Sequence, residues 1–269
     1  MSQNRESEMA FRYHGSRHRA LHIVEIRLEN AYTQTFVLDG ELEAEPGQFV
    51  MAWLPDLDDK PFALAEANPV TLTIAAVGPF TRALHQRQVG DFIWIRGPFG
   101  RGYQLPTTSS EHLLLIGEDY SVGALLFLAR RAKAAGHQIS VILSAKSTSD
   151  LTLVAGFEAL DVSLQLLTGD RAEGRLRSVT EAIAGVAAAA GCEPKVIYAS
   201  GSTEMLQAVA ERSLSQKREV QLAWKSTIKC ALGLCGTCEV GQGWLTCTDG
   251  PVFSFSPATT PTPEGVVIS

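Results

Sequence analysis

The chain has 269 residues, of which 45% are hydrophobic and 19% charged, and its formal net charge is −6 at pH 7. This length allows one large domain or two medium ones with buried cores, and the acidic balance argues against a nucleic-acid-binding protein. No apolar run is long enough to span a membrane, and the polar N-terminus lacks the apolar stretch of a signal peptide. We expect a cytoplasmic protein with a flexible arm at residues 1–17 and a loose or extended tail at residues 256–269.

Residues 18–106 are predicted to form an antiparallel Greek-key β barrel. Short segments there carry β-branched or aromatic residues at every second position, and most of them end at Gly, Pro or Asp. Several such strands at this spacing are typical of a barrel. The segment FTRALHQRQ, between the last two strands, predicts a short helix that caps the barrel. The predicted strands are LHIVEIRLE, TQTFVLDG, GQFVMAWLP, VTLTIAAVG and DFIWIRGP.

The pattern changes near Glu111, and residues 107–224 predict a doubly wound parallel sheet. Apolar strands alternate with helices there, which is typical of a nucleotide-binding sheet. The first strand, HLLLIG, is followed by an apolar helix that Gly136 is expected to end. The later elements are QISVILSA (strand), DLTLVAGF (short helix or turn), VSLQLLTG (strand), SVTEAIAGVAAAAG (helix), KVIYAS (strand), STEMLQAVAERSLSQ (helix) and EVQLAWK (strand).

Four cysteines follow the last predicted strand with the spacing C-x4-C-x2-C-x8-C. The first three match the opening of the plant-type [2Fe–2S] ligand pattern. The small residues between them, two glycines and a threonine, let backbone N–H groups approach the inorganic sulfurs. Residues 225–255 therefore predict a [2Fe–2S] module. Its predicted metal ligands are Cys230, Cys235, Cys238 and Cys247.

A structural zinc site and a disulfide pair are the alternatives for these cysteines. Structural zinc usually takes two short C-x2–4-C pairs, whereas here the second pair is split by eight residues. A disulfide requires a compartment outside the cytosol. The fifth cysteine, Cys192, is expected to be a small buried residue and not a ligand.

A barrel, a doubly wound sheet and a cysteine loop in this order resemble the electron-transfer subunit family of dihydroorotate dehydrogenase, within the ferredoxin-reductase superfamily. The resemblance covers Leu21 to Phe253 and is carried by PGQF, GPFGRGY, CALGLCGTC and the TDGPVF that follows Cys247. It implies that the barrel binds FAD, that the sheet binds NADH, and that the cluster passes electrons to a partner whose FMN oxidises dihydroorotate in pyrimidine biosynthesis. A flavin suits this relay because it exchanges electrons both in pairs and singly.

The barrel residues that the resemblance assigns to FAD depart from the family pattern. The family's Arg-Pro-x-Ser is KPFA at residues 60–63, which replaces a planar guanidinium by a point charge and removes a hydroxyl. The family's Gly-x-Gly-Thr is GPFT at residues 78–81, where Phe80 restricts the backbone and fills space. In the alternative interpretation Lys60 is a solvated rim charge after an acidic loop at residues 58–59, and Phe80 is a core aromatic. The predicted cofactor-binding residues are Lys60, Pro61, Phe62, Ala63, Gly78 and Thr81.

The predicted nicotinamide site departs further. After the first sheet strand the family has three glycines, a fourth two residues on, and a proline, and this chain has GEDYSVGA at residues 117–124. Glycines there let a helix N-terminus bind a pyrophosphate. Glu118 and Asp119 instead put carboxylates where that anion would lie, and Asp119 or Ser121 is expected to cap the helix.

Two downstream positions differ as well. The family's Cys-Gly-Pro is Ser-Gly-Ser at residues 200–202, and a glutamate that commonly precedes the cluster loop aligns with Lys225. The sequence therefore argues against ordinary NADH binding.

Two functions from different classes remain open at this point. In the first, the chain relays electrons through FAD and a [2Fe–2S] cluster to or from a partner flavoenzyme, such as a dihydroorotate dehydrogenase catalytic subunit, in a hetero-oligomer. In the second, it is a degenerate docking or regulatory subunit with a structural metal loop and no flavin. The sequence predicts no catalytic side chain in either case.

Overall fold

A computed structural model describes residues 17–169, 179–186, 191–241 and 243–256 of the chain. Most of the predicted N-terminal arm, the tail after Ser256 and part of the predicted helix SVTEAIAGVAAAAG lie outside the described residues. Within those ranges, no helix is long and apolar enough to cross a membrane.

The N-terminal half is an antiparallel sheet with one short helix. Its elements are β1 (Arg19–Asn30), β2 (Thr33–Leu38), β3 (Phe49–Trp53), β4 (Asp59–Ala63), β5 (Glu66–Ala67), β6 (Val70–Ala75), α1 (Pro79–Leu84) and β7 (Phe92–Phe99).

The seven strands of this sheet follow the order β4-β3-β7-β1-β2-β6-β5. The long strand β1 pairs with β7 through its first residues and with β2 through the rest, so it joins the two halves of the sheet. Inward-facing side chains of β2, β3, β6 and β7 and of the first half of β1 form one apolar cluster, which α1 covers. The sheet therefore curls around a closed interior, as the predicted barrel requires.

The second half is a sheet with helices on both faces, followed by the cysteine loop. Its elements are β8 (His112–Glu118), α2 (Gly123–Ala134), β9 (Gln138–Ala145), α3 (Val154–Glu158), β10 (Ser163–Thr168), α4 (179–186), β11 (Val196–Ser200), α5 (Thr203–Ser215), β12 (Glu219–Ala223), β13 (Glu239–Val240), β14 (Trp244–Leu245) and β15 (Val252–Phe255).

The sheet order is β10-β9-β8-β11-β12-β15, and its first five strands are parallel. Alternate residues along the strands pack against α2 and α3 on one face and against α4 and α5 on the other, because successive side chains of a strand point to opposite faces. This confirms the doubly wound arrangement. The order also reverses between β8 and β11, and in such sheets ligands bind beside the carboxyl ends of those two strands.

Five strands were not predicted from the sequence: the two-residue strands β5, β13 and β14, and the longer strands β4 and β15. The edge strand β4 contains Pro61, and an edge tolerates a residue that cannot donate to the ladder. The chain also returns after the cysteine loop to add β15 antiparallel to β12. Both ends of the loop are therefore anchored in the same sheet, which limits how far the cysteines can move relative to it.

Candidate cofactor cleft and cluster loop

The four cysteines of the loop form two pairs of neighbouring thiols. The thiol of Cys230 hydrogen-bonds with that of Cys235, and Cys238 hydrogen-bonds with Cys247. Cys238 and Cys247 are buried, Cys230 is half-buried, and Cys235 is exposed. In the described ranges, no three His, Cys, Asp or Glu side chains converge on a point that could hold a single metal ion. Two thiol pairs fit a binuclear cluster, in which each iron takes two thiolates.

Backbone N–H groups of the loop point at these sulfurs. The amide of Leu232 lies 3.4 Å from Sγ of Cys230, and the hydroxyl and amide of Thr237 both bond to Cys235. These two donors of Thr237 lower the pKa of Cys235 to about 6, so its thiolate, the form that binds metals, is favoured near neutral pH.

The second thiol pair receives a donor from a glycine. The amide of Gly233 bonds to Cys247, although burial raises the pKa of that thiol to about 12. Gly233 has a φ of +73°, which glycine adopts without the strain that a side chain would cause. The loop thus supplies both the thiols and the N–H donors that an iron–sulfur cluster requires.

Arg96 of β7 fastens the cysteine loop to the barrel. Its Nη1 donates to the carbonyl of Cys230 at 3.0 Å and its Nη2 to that of Lys229 at 3.4 Å. Its Nε donates to the carboxylate of Asp59 at 2.8 Å, and the guanidinium lies 5.3 Å from the ring centre of Phe99. The Arg96 side chain is only 9% exposed. One buried cation therefore fixes the first cysteine relative to the barrel.

The sequence did not single out these contacts. It predicts a loop at residues 58–59, but Asp59 is the first residue of β4 and accepts from Arg96. In the sequence Arg96 is an ordinary polar residue at an alternate position of its strand. Nothing in that pattern distinguishes it from an exposed arginine, but the structure shows that its side chain is nearly buried. The partners of Arg96 in the cysteine loop are more than 130 residues away in the chain.

A cleft of about 330 Å³ lies between the barrel, the sheet and the segment that leads to the cysteine loop. This volume lies within the range of small-molecule sites, which is roughly 300–1,000 Å³. Apolar and aromatic side chains supply most of the lining. The three parts of the molecule contribute, among others, Pro61, Phe62, Ala63, Thr73 and Thr81 from the barrel, Tyr120, Ser121 and Ser200 from the sheet, and Trp224, Lys225 and Ile228 from the segment before the loop.

Four of the six residues assigned to FAD line this cleft, and Lys60 and Gly78 are not part of its lining. Lys60 is exposed and pairs with Asp58 at 3.3 Å. Phe80 is 5% exposed and stacks on Phe62, as the alternative interpretation predicts. The hydroxyl of Thr81 accepts from the amide of Gly78 at 2.9 Å and donates to its carbonyl at 3.1 Å. Thr81 therefore caps α1 with the hydroxyl that was expected to face the cofactor.

The cleft and the cysteine loop share a wall. Phe49 and Ile228 line the cleft, and both belong to the apolar cluster that contains Cys238 and Cys247. A flat ring bound in the cleft would thus be separated from the buried thiol pair by these shared side chains.

Two sequence-based predictions at the sheet were wrong. Neither Asp119 nor Ser121 caps a helix: a 3-10 turn, Asp119–Val122, leads into α2, and no side chain caps either element. The hydroxyl of Ser121 instead contacts Nζ of Lys225, a tertiary contact that local reasoning cannot see. Cys192 is exposed rather than buried, because it lies in the turn that precedes β11.

The fold and the paired thiols define a ferredoxin-reductase-like protein with an iron–sulfur loop. Residues 225–257 match the iron–sulfur cluster binding domain of dihydroorotate dehydrogenase B. Over 220 residues the chain is 34% identical to a probable dihydroorotate dehydrogenase B (NAD(+)) electron transfer subunit of Thermococcus kodakarensis, a match that covers 82% of this chain and 89% of that protein. A protein of the same description from Methanocaldococcus jannaschii is 31% identical over 232 residues, 86% and 87% of the two chains. The chain belongs to the family of dihydroorotate dehydrogenase B electron transfer subunits.

Solved structures show the same fold. An NADH-dependent reduced ferredoxin-NADP oxidoreductase, described for flavin-based electron bifurcation, superposes with a TM-score of 0.75 at 23% identity over 87% of both chains. The ferredoxin reductase of carbazole 1,9a-dioxygenase gives a TM-score of 0.61 at 18% identity, over 75% of this chain and 66% of that one. The barrel and doubly wound sheet predicted from the sequence are thereby confirmed as a ferredoxin-reductase-like fold.

Replacing Arg96 tests its role as the fastening between barrel and loop. We expect Arg96→Leu to lower the free energy of unfolding by about 2–4 kcal/mol, because it leaves the Asp59 carboxylate and two loop carbonyls without their donor. Arg96→Lys should lose less, since it keeps the charge. Chemical denaturation followed by fluorescence measures both. Arg82→Leu, an exposed arginine on α1, is the matched control, and an equal loss in that variant would contradict the assignment.

Replacing single cysteines tests which thiols hold iron. Cys235→Ser should reduce bound iron and the visible absorbance that accompanies it, since one iron loses a thiolate. Cys192→Ser removes an exposed thiol outside the loop and should keep the iron content of the parent protein. Iron analysis of anaerobically purified protein distinguishes the two. Equal iron in both variants would exclude Cys235 as a ligand.

Proposed function

We propose that this chain is an electron-transfer subunit that holds FAD in the cleft and a [2Fe–2S] cluster in the cysteine loop. It exchanges electrons with a partner flavoenzyme such as a dihydroorotate dehydrogenase catalytic subunit, the assembly that the names of its relatives describe. The wall shared by the cleft and the thiols, formed by Phe49 and Ile228, carries this proposal. It brings the two redox sites close together.

The residues of the cleft fit a flavin. Pro61, Phe62 and Trp224 offer apolar and aromatic surface for a flat ring system, and Gly123 and Ala124 add little bulk on the sheet side. A bound FAD would supply a group that exchanges electrons in pairs or singly. The protein positions that group against the wall in front of the cluster loop.

The loop also has an exposed edge where a partner can dock. Cys235 is exposed, and the side chain of its neighbour Leu234 is 80% exposed. An apolar side chain in water beside a cluster ligand fits an interface that covers both on assembly. None of the five cysteines is paired in a disulfide, which fits a reducing compartment, and we therefore propose a cytoplasmic location.

A second function is favoured by specific contacts on the barrel. Lys60 pairs with Asp58 outside the cleft lining. Thr81 lines the cleft, but its hydroxyl is already hydrogen-bonded to Gly78 at the start of α1. A docking or regulatory subunit with a structural metal and no flavin would show these contacts.

The visible spectrum of anaerobically purified protein separates the two functions. The proposed relay predicts flavin and [2Fe–2S] bands, with one FAD and about two irons per chain. The Cys235→Ser variant should keep the flavin band and lose the cluster band, which shows that the two groups bind separately. A colourless protein with stoichiometric zinc would reject the relay and establish the second function.

A further inference from the structure

The carboxyl ends of β8 and β11 form the crevice in which a doubly wound sheet binds its ligand. In this chain those ends are Glu118 on β8 and Ser200 on β11. The turn that follows β11 opens α5, a helix of 13 residues whose N-terminus carries a partial positive charge. A dinucleotide would place its pyrophosphate against such N–H groups.

A carboxylate of the chain already lies in this crevice. Oε2 of Glu118 accepts the amide hydrogen of Ser202 at 2.9 Å, which bridges the two strand ends at the start of α5. Glu118 is 5% exposed. Its side chain packs so closely on Gly201 that a Cβ there would lie 2.8 Å from Cβ of Glu118. The hydroxyl of Ser202 accepts from the amide of Met205 at 3.3 Å, which engages a further N–H of the helix.

Further contacts close the crevice from its open side. The hydroxyl of Ser200 donates to the carbonyl of Ser121 at 3.0 Å. Nζ of Lys225 contacts the hydroxyl of Ser121 and lies 4.8 Å from the ring centre of Tyr120. Lys225 therefore ties the segment before the cysteine loop to the 3-10 turn after β8.

The crevice holds two carboxylates and one lysine. Burial lowers the pKa of Lys225, while the carboxylates of Glu118 and Asp119 raise it, so the cation lies within electrostatic reach of both acids. Asp119 adopts a φ of +52° at the start of the 3-10 turn. The two acids and Lys225 together leave one net negative charge in the crevice, which disfavours an anionic ligand.

We propose that Glu118, with Asp119 and Lys225, occupies the dinucleotide crevice and excludes NADH and NADPH from this subunit. A pyrophosphate would have to displace Glu118 from the amide of Ser202 and then lie beside two carboxylates, whose repulsion is strong at low local dielectric. The inference rests on the proposed function, since it concerns which donor can reduce the FAD of this family member. The relatives are named for NAD(+), and this chain differs from that description.

Anaerobic titration of the purified protein tests the exclusion. With NADH or NADPH up to on the order of 1 mM, the weak end of specific binding, we expect no heat of binding in calorimetry and no bleaching of the flavin band. Dithionite should bleach the same sample, which shows that the flavin is reducible. Saturable NADH binding, or bleaching by NADH, would overturn the exclusion while the flavin and cluster bands leave the proposed function intact. If the protein is colourless, calorimetry still decides the exclusion.

Variants test whether these acids are the cause. Glu118→Gly combined with Asp119→Gly should raise NADH affinity at least tenfold, because it removes both charges and frees the amide of Ser202. Glu118→Gln keeps the size of the side chain and removes only its charge, so it should give a smaller gain with little change in stability. Glu211→Gln, an exposed acid on α5, is the matched control and should give none. A folded double variant that still fails to bind NADH would reject Glu118 and Asp119 as the determinants.

Discussion

The buried guanidinium of Arg96 is the constraint on which the rest of the site depends. It belongs to the barrel, yet two of its three nitrogens donate to carbonyls at the start of the cysteine loop. The third nitrogen donates to Asp59 of the edge strand. The same edge strand carries Pro61 and Phe62, which line the cleft. Arg96 therefore fixes the position of one cleft wall and of the first cysteine. The planar guanidinium spreads its donors over three nitrogens in a fixed fork, whereas a lysine would offer a single point charge at the end of a flexible chain.

The same sheet topology that creates a ligand crevice also allows the chain to fill it. Strand ends that meet at a switch point bring together residues far apart in sequence, such as Glu118 and Ser202. In a dinucleotide-binding protein the amides at the N-terminus of the following helix bind a phosphate. Here the carboxylate of Glu118, on the neighbouring strand, already accepts the amide hydrogen of Ser202. If the crevice excludes NADH as proposed, the electron donor for the cleft is a partner that docks at the cysteine loop.

Local patterns were sufficient to predict the barrel strands, the alternating sheet and the cysteine spacing, because each depends on residues close together in the chain. The contacts that decide the chemistry are long-range. The sequence predicts that Asp119 or Ser121 caps the helix, but Lys225, 104 residues away, engages Ser121 instead. Thr81 shows the opposite case: a family motif suggests a ligand contact, and a local capping interaction with Gly78 uses the hydroxyl. Free cysteines are commonly buried, but the turn before β11 exposes Cys192.

The charge differences from the family pattern form one unit. The lysine that stands in place of the family's glutamate at position 225 is favourable beside Glu118 and Asp119. Conversely, two acids at the start of the 3-10 turn would repel each other without that lysine. The amide of Ser202 holds Glu118 independently of Lys225, but reverting Lys225 alone would leave two carboxylates near each other without their cation. The closed crevice is therefore held by a compensated set of side chains, while the cysteine loop beyond it retains the ligand spacing of the family.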